Sequence, residues 1–396
     1  VQITGGSVKA MDSSGTVNSI SPAPTSDGKT SVYLGILENQ AGVQSIIVDN
    51  VDYKVAGNHP DDNNFYLYMT GINHIIAGNG WYTASYDSSS NNFTFNIKDL
   101  EVHNEEGNLA ADVCSYESNV VTINATDAEK IYTIKLRNGI TQTSDRIVIK
   151  TNATIILENV NINTSTGAPL EVQGNNAENA SDNITATIKL KGENTLTPTG
   201  RNYAGLQLSN GANLILENGA AESETVGSLT VTSGEHGAGI GSGYIGTAGN
   251  ITISGGTVTA TGGKYAAGIG SGYGMVASNL NITYKSTAGN ILISGGKVTI
   301  KAGDRAAGIG SGWWGIIGNI TISGGEINVE TSNADSYGNG AGIGAGRVGL
   351  AGNIEITDGT IKATGNNYGV GIGAGAYATV ENIMISGGTV TASGGT

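Results

Sequence analysis

Apolar and polar residues alternate along much of this chain, in short runs with an apolar side chain at every second position. A period of two is typical of β-strands that are buried on one side. Residues that favour helices are scarce, whereas Gly, Thr, Asn and Ser are abundant. The pattern therefore predicts an all-β protein.

The alternating runs recur at a regular spacing in the C-terminal part of the chain. The motif GIGSG begins at Gly239, Gly268 and Gly308, and its variant GIGAG begins at Gly342 and Gly371. The first and last intervals are equal and define a unit of about 29 residues, whereas the two intervals between them contain insertions. Such a repeat predicts a solenoid that stacks like residues on like at about 4.8 Å.

Three alternating runs in each unit predict three strands per coil, which is the architecture of a parallel β-helix. One run places a single isoleucine inward in every coil, and by alignment Leu206 lies beneath the first of them. These inward residues are Ile240, Ile269, Ile309, Ile343 and Ile372.

Two polar columns support this register. Lys297 lies one unit before Glu326, and Lys301 lies one unit before Glu330, so opposite charges face each other across neighbouring coils. An asparagine precedes the first strand of every unit, where a stacked ladder of hydrogen bonds is expected. These residues are Asn250, Asn290, Asn319, Asn353 and Asn382.

The glycines invite a second interpretation, because GSGYIG and GSGWWG both fit the GxGxxG pattern of a dinucleotide-binding turn. A true fingerprint occurs once, between a strand and a helix. Here the glycines recur in every coil, so we interpret them as geometric: they permit positive φ at corners and close approach of the backbone.

The pattern loosens towards the N-terminus. Residues 119–396 are predicted to form the parallel β-helix, with irregular coils over 119–234 and regular repeats over 235–396. Aromatic runs such as NNFYLYM and NNFTFNI, separated by Gly and Asn, predict a small antiparallel β domain with linker at 16–118. Residues 1–15 are expected to be a remnant β-helix coil, because VQITGGSVKA matches NIMISGGTVTA near the C-terminus.

Charge and composition narrow the function classes. The net charge is −14 and the 19 Lys and Arg residues are scattered, which argues against a nucleic-acid or anionic membrane partner. No apolar run is long enough to span a membrane, and no signal peptide is expected within the sequence. The single cysteine, Cys114, is expected to be a small buried residue, and no cofactor is expected. Such compositions are commonest in secreted and cell-surface bacterial proteins.

The run GAGIGSG…GNITISGGTVTATGG resembles the right-handed parallel β-helix proteins of the pectate-lyase-like superfamily. Together with the GENTL segment and the GGSVKA junction, it is more closely similar to glycine-rich repeat proteins of bacterial cell surfaces. That resemblance implies a carbohydrate-binding or adhesin-like role, with a polysaccharide or a host or cell-surface glycan as partner. It is specific for fold and weak for function, because one β-helix scaffold carries many activities.

Residues on both sides of the GIG motif are the candidates for carbohydrate binding. Stacked coils would turn them into two columns flanking a glycine-lined strip, a shallow groove in which a sugar ring can stack on an aromatic edge. The candidates are Tyr244, Tyr265, Tyr273, Trp313, Trp314, Arg347, Tyr368 and Tyr377. At least one of the two tryptophans is expected to be exposed.

An enzyme of the β-helix type, a polysaccharide lyase or glycoside hydrolase, is the alternative. Its candidate residues are Glu235, His236, Asp304 and Arg305, with the two carboxylates two coils apart, roughly 10 Å. The contiguous motifs of those enzyme families are absent, so a non-catalytic protein is the first expectation. A purely structural surface stalk is the third hypothesis.

Two further expectations concern ions and self-association. Acidic residues and asparagines at 61–64 and 333–335 are possible calcium ligands, although neither loop has the spacing of a dedicated calcium motif. The end of a β-helix exposes unpaired backbone and apolar interior, so end-to-end association is expected at the C-terminal coil.

Overall fold

The computed structural model describes residues 32–37, 45–48, 51–54, 65–70, 73–78, 80–87, 92–110, 113–125, 127–176, 183–277, 282–331, 339–366 and 368–395. The predicted remnant coil and both predicted calcium loops lie outside these residues. The division of the chain into domains at 15/16 and 118/119 stays a prediction.

The N-terminal strands form two antiparallel sheets, as the aromatic alternation predicts. One sheet pairs β1 with β4, and the other has the order β3-β2-β5-β6-β7. The strands are β1 Val32–Leu37, β2 Ser45–Val48, β3 Val51–Lys54, β4 Phe65–Thr70, β5 Asn73–Gly78, β6 Gly80–Asp87 and β7 Asn92–Ile97.

The rest of the described chain is a right-handed parallel β-helix, because successive coils pair their strands in parallel and such connections are right-handed. One face is a ten-stranded sheet that contains every GIG strand. Its strands are β9 Cys114–Glu117, β10 Val120–Ile123, β12 Arg146–Ile149, β15 Leu170–Gln173, β18 Leu206–Ser209, β21 Ile240–Gly241, β24 Ile269–Gly270, β30 Ile309–Gly310, β33 Ile343–Ala345 and β36 Ile372–Ala374.

A sixteen-stranded sheet supplies the two other faces. One face has β8 Leu100–His103, β11 Ile131–Leu136, β13 Ala153–Glu158, β16 Thr185–Lys191, β19 Asn213–Asn218, β22 Ile251–Ile253, β28 Ile291–Ile293 and β38 Ile383–Ile385. The other has β14 Asn161–Thr164, β17 Glu193–Pro198, β20 Ser228–Thr232, β23 Thr257–Thr261, β29 Lys297–Ala302 and β39 Thr389–Ser393. The long strands β32 Ile320–Thr331 and β35 Ile354–Thr364 run through the corner and join both faces.

Short strands also follow the GIG turns, which the three-strand prediction did not include. They form a four-stranded parallel sheet of β27 Ser286–Ala288, β31 Gly315–Ile317, β34 Leu350–Ala351 and β37 Thr379–Val380. Two or three residues are too few to show a period in the sequence. A separate antiparallel hairpin, β25 Met275–Ala277 with β26 Ile282–Tyr284, belongs to the longer of the two insertions.

The predicted register is confirmed. Leu206 pairs with Ile240, and Ile309 pairs with Ile269 on one side and Ile343 on the other. Lys297 faces Glu326, with Nζ and Oε1 3.0 Å apart, and Lys301 pairs with Glu330. The stacked inward residues form one continuous buried cluster along the described helix.

The asparagine column is a hydrogen-bond ladder, as expected. At Asn290, Asn319 and Asn353 the backbone N–H donates to the side-chain oxygen of the preceding asparagine, whereas Asn382 donates its Nδ2 to Asn353 Oδ1 at 2.9 Å. The backbone bonds are 2.8 Å from Asn290 to Asn250, 2.8 Å from Asn319 to Asn290 and 2.9 Å from Asn353 to Asn319. Asn213 extends the ladder by one coil, because its oxygen accepts from the N–H of Asn250 at 2.8 Å.

Antiparallel strands close the N-terminal end of the helix. β8 pairs antiparallel with β11 and β9 pairs antiparallel with β10, so the first parallel strands of two faces have no open edge. Trp81 from β6 is fully buried and joins the same apolar cluster as Leu100 and Val102. Cys114 is buried as expected. This arrangement attaches the antiparallel sheet to the helix core.

Candidate functional site

The GIG strand requires glycine at its second position. Gly310 has φ +143°, and a Cβ there would collide with the backbone oxygen of Gly344 in the next coil. Gly241 and Gly270 have φ +136° and +133° and meet the following coil in the same way. The glycines therefore permit close stacking of the coils on this face, and the dinucleotide interpretation finds no support in the fold.

A four-residue turn follows each regular GIG strand. The N–H of its fourth residue donates to the carbonyl of its first, at 3.1 Å from Gly246 to Gly243 and 3.0 Å from Gly315 to Gly312. The third residue has positive φ, which is unusual for bulky side chains. These residues are Ile245 (φ 51°), Trp314 (φ 58°), Val348 (φ 53°) and Tyr377 (φ 57°).

Bonds between coils hold this unusual conformation. The N–H of Trp314 donates to the carbonyl of Arg347 at 3.2 Å, and the N–H of Val348 donates to that of Ala376 at 2.9 Å. Because the same conformation recurs in four coils, the stacking fixes it rather than any one side chain. The second residue of each turn is thereby presented at a constant place on the surface.

The turns on the two sides of the GIG strand are linked diagonally. The N–H of Tyr273 donates to the carbonyl of His236 in the preceding coil at 2.9 Å. The N–H of Trp313 bonds to Tyr265 in the same way at 2.9 Å, and that of Arg347 to Arg305 at 2.9 Å. These bonds bring side chains from both turns to one surface.

Five rings from these turns form a continuous group, which we call the ring cluster: His236, Tyr244, Tyr265, Tyr273 and Trp313. Neighbouring centroids are 5.1 Å apart for His236–Tyr244, 5.2 Å for His236–Tyr273, 5.3 Å for Tyr265–Tyr273 and 5.2 Å for Tyr273–Trp313. Tyr265 and Trp313 are 5.3 Å apart. These distances are those of favourable aromatic pairs.

The expectation of two separate columns with a groove between them is therefore wrong for these coils. In these coils the GIG strand has only two residues, so the flanking turns lie close enough for rings such as those of His236 and Tyr244 to meet. The rings meet across the strip and cover it. The surface available to a ligand is a half-buried layer of rings, not a glycine-floored groove.

Cationic side chains lie against this layer. The Arg305 guanidinium is 4.5 Å from the Trp313 ring centroid and 5.6 Å from that of Tyr265. Lys264 Nζ is 5.5 Å from the Tyr265 centroid. Such cation–π contacts stabilise the rings in one orientation, so the layer is pre-organised.

Partial burial also affects the titration of the cluster. Burial lowers the pKa of His236 below its ordinary value of 6.5, with a smaller opposing effect of Glu235. Burial raises the pKa of Tyr273 above its ordinary value of 10.0. His236 Nδ1 is 2.8 Å from Asn202 Oδ1, a hydrogen-bond acceptor, which favours the tautomer protonated at Nδ1. His236 and Tyr273 are thus neutral near pH 7.

The other carbohydrate candidates lie outside the ring cluster. Trp313 and Trp314 are both half-buried, and Trp313 Nε1 is buried, so neither tryptophan is exposed as the sequence predicted. Tyr368 and Tyr377 are 74% and 84% exposed in the last coil. The Arg347 guanidinium lies 5.8 Å from the Tyr377 centroid.

The residues of the enzyme hypothesis have other contacts. Glu235 Oε2 pairs with Arg201, at 2.8 Å from Nε and 2.7 Å from Nη2. Asp304 is 5% exposed, and its backbone carbonyl accepts from Asn366 Nδ2 at 2.6 Å. Among the described residues, no group of three His, Cys, Asp or Glu side chains could hold a metal ion. A catalytic role for Glu235, His236, Asp304 and Arg305 stays a prediction.

Sequence reasoning placed Arg305 in the column before GIG but missed Met275. The Tyr244 hydroxyl donates to Met275 Sδ at 3.1 Å, so the inserted hairpin touches the ring cluster. The sequence did contain one sign that Met275 lies near the rings, because the insertion that begins with it starts two positions after Tyr273.

Comparison with known proteins agrees with this architecture. The chain matches the family model for the beta helix repeat at residues 251–273, 291–313, 320–347, 354–376 and 383–395. These segments begin at the first strand of each coil and, except in the last, reach past the GIG motif. The matched segments agree with the coils of the parallel β-helix described above.

Among solved structures, it is similar to a polysaccharide lyase-like protein from C. thermocellum. The TM-score is 0.40 at 17% sequence identity, and the match covers 74% of this chain and 99% of the other. No curated protein matches the sequence. A search of the described residues finds no helix with the length and hydropathy needed to cross a membrane.

Proposed function

We propose that this β-helix repeat protein binds carbohydrate through the ring cluster, as a non-catalytic secreted or cell-surface protein of a bacterium. The observation that carries the proposal is the contiguous layer of five half-buried rings on stacked, rigid turns. Sugar rings have apolar faces and polar edges, and they stack on aromatic side chains that are held in place. Arg305 and Lys264 add hydrogen-bond donors beside those rings.

The rigidity of the turns supports binding rather than mere covering of the corner. A side chain pre-organised by its backbone loses little conformational freedom when a ligand arrives. A polysaccharide or a surface glycan presents many sugar rings in a row, which suits a layer that extends over three coils.

The first test is a glycan screen followed by titration with cellohexaose, xylohexaose and mannohexaose. In the variant that combines Trp313→Ala with Trp314→Ala, we expect affinity for any ligand found to fall more than tenfold, about 1.4 kcal/mol. Thermal unfolding should be unchanged. Leu350→Ala is the matched control, because it removes a 41% exposed apolar side chain outside the ring cluster.

Unchanged affinity in the tryptophan variant would contradict the proposal. Release of reducing ends, or of an unsaturated product that absorbs in the ultraviolet, would instead favour the lyase or hydrolase alternative. Glu235→Gln and Asp304→Asn would then identify the acid residues required.

A further inference from the structure

The insertion of residues 275–285 leaves the coil at the ring cluster and returns without disturbing the helix. Ser286, the first residue after it, pairs in register with Gly315 of the next coil. Thr287 forms a parallel bridge with Thr247 of the previous coil. The coil is therefore complete without the insertion, and the fold does not require it.

The inserted residues form a hairpin whose base is attached to the ring-bearing turns. Met275 pairs antiparallel with Tyr284. The Tyr244 hydroxyl donates to Met275 Sδ at 3.1 Å, and the N–H of Gly274 donates to the carbonyl of Trp313 at 2.9 Å. The hairpin belongs to the coil between the one that carries Tyr244 and the one that carries Trp313, and its base contacts the turns of both.

The base of the hairpin also presents apolar surface. Tyr284 is 40% exposed and Met275 is half-buried. A two-stranded hairpin is at best marginally stable by itself, and here it adds an exposed tyrosine that the helix core does not use. In repeat proteins, insertions of this kind map to the loops of one face, often the binding face.

We propose that the hairpin base, through Met275 and Tyr284, is a second contact surface of the glycan site and forms a side wall of the ring layer. This inference rests on the proposed function. A flat layer of rings contacts a sugar on one face only, whereas a layer with a wall contacts a second sugar or a ring edge as well. The ligand is accordingly an oligosaccharide of several sugar units rather than a single sugar.

Deletion of residues 275–285 is a matched test, because it restores the regular coil length. The joined sequence GYGSTAGN then has the length of GYIGTAGN at 243–250, and Gly274 takes the turn position that has positive φ in other coils. We expect binding of the best hexasaccharide among cellohexaose, xylohexaose and mannohexaose to fall at least tenfold, with little change in the thermal unfolding midpoint.

Point variants keep the test decisive if the deletion does not fold. Met275→Ala combined with Tyr284→Ala should weaken hexasaccharide binding at least fivefold. Leu292→Ala should have no effect, because it truncates a side chain of similar exposure, 37%, on the outward face of another strand.

The outcomes separate this inference from the proposed function. If Trp313→Ala weakens binding but the deletion and the Met275, Tyr284 variant do not, the ring cluster binds glycan and the hairpin has no role. If the unmodified protein binds none of the hexasaccharides or glycans screened, both proposals fall. Loss of binding in all these variants, with Leu292→Ala unaffected, supports both.

Discussion

Replacing Ile309 by alanine tests whether the inward isoleucine column holds the coils together. Ile309 is fully buried and stacks between Ile269 and Ile343, which are also fully buried. The substitution removes three carbons, about 2.4 kcal/mol at about 0.8 kcal/mol for each buried CH₂. A cavity term adds to this loss, because the backbone of Gly310 is already stacked on Gly344 and cannot move inward. The expected destabilisation is about 2–5 kcal/mol.

The assay is urea unfolding, followed by far-ultraviolet circular dichroism and by tryptophan fluorescence. Two of the three tryptophans, Trp313 and Trp314, are four and five positions from the substitution and report mainly the local coils, whereas circular dichroism reports the whole helix. Coincident transitions would justify a two-state free energy of unfolding, which repeat proteins do not always allow. The midpoint should fall while the slope stays constant.

Thr321→Ala is the matched control. Thr321 lies on the outward side of β32, between Leu292 and Glu355, and is half-buried. Its truncation should change stability by no more than about 0.5 kcal/mol. Equal losses at Ile309 and Thr321 would refute the assignment of the two strand faces.

Gly310→Ala should destabilise the protein by at least about 3 kcal/mol in the same urea assay, because the new Cβ would collide with backbone and φ is positive there. Gly246→Ala is the control and should be tolerated, because Ala378 occupies the equivalent turn position. Equal effects of the two substitutions would contradict the argument that Gly310 is required by the backbone. Lowering the pH from 7.5 to 5 should reduce the urea unfolding midpoint. The reason is that the pKa of His236 is lower in the folded than in the unfolded protein, so stability is lost as the pH falls below about 6.5. The loss should be smaller in His236→Gln, and an identical pH dependence in that variant would contradict the prediction. Ile383 and Ile385 are 47% and 50% exposed, so this chain should associate end to end at high concentration; light scattering that shows a monomer, unaffected by removal of residues 383–396, would oppose that prediction.

The sequence by itself determined the coil. The spacing of GIG and the alternating runs predicted which isoleucines point inward, which residues stack and which asparagines form the ladder, as the pairing of Ile309 with Ile269 and Ile343 illustrates. In a parallel β-helix each coil pairs with the next in register. A repeat in the sequence is therefore a repeat in space, and local periodicity is sufficient.

Only the tertiary structure decided how the surface is arranged. That the rings of His236 and Tyr273 meet across the GIG strand depends on the sharpness of two corners and on side-chain direction, which a period does not encode. The four-residue turns and the short strands beside them were likewise too brief to produce a pattern.

The positions of Met275 and Trp81 were also decided by the tertiary structure. Each lies in a segment without a repeat, and each reaches its partners through the path of the chain as a whole. Each unit makes the same contacts with the next, so the residues that form the coil recur in every repeat and can be recognised from the sequence. The ring cluster, the hairpin and the antiparallel strands at the N-terminal end of the helix each occur once. Their geometry therefore depends on packing between elements, and no repeat in the sequence predicts it.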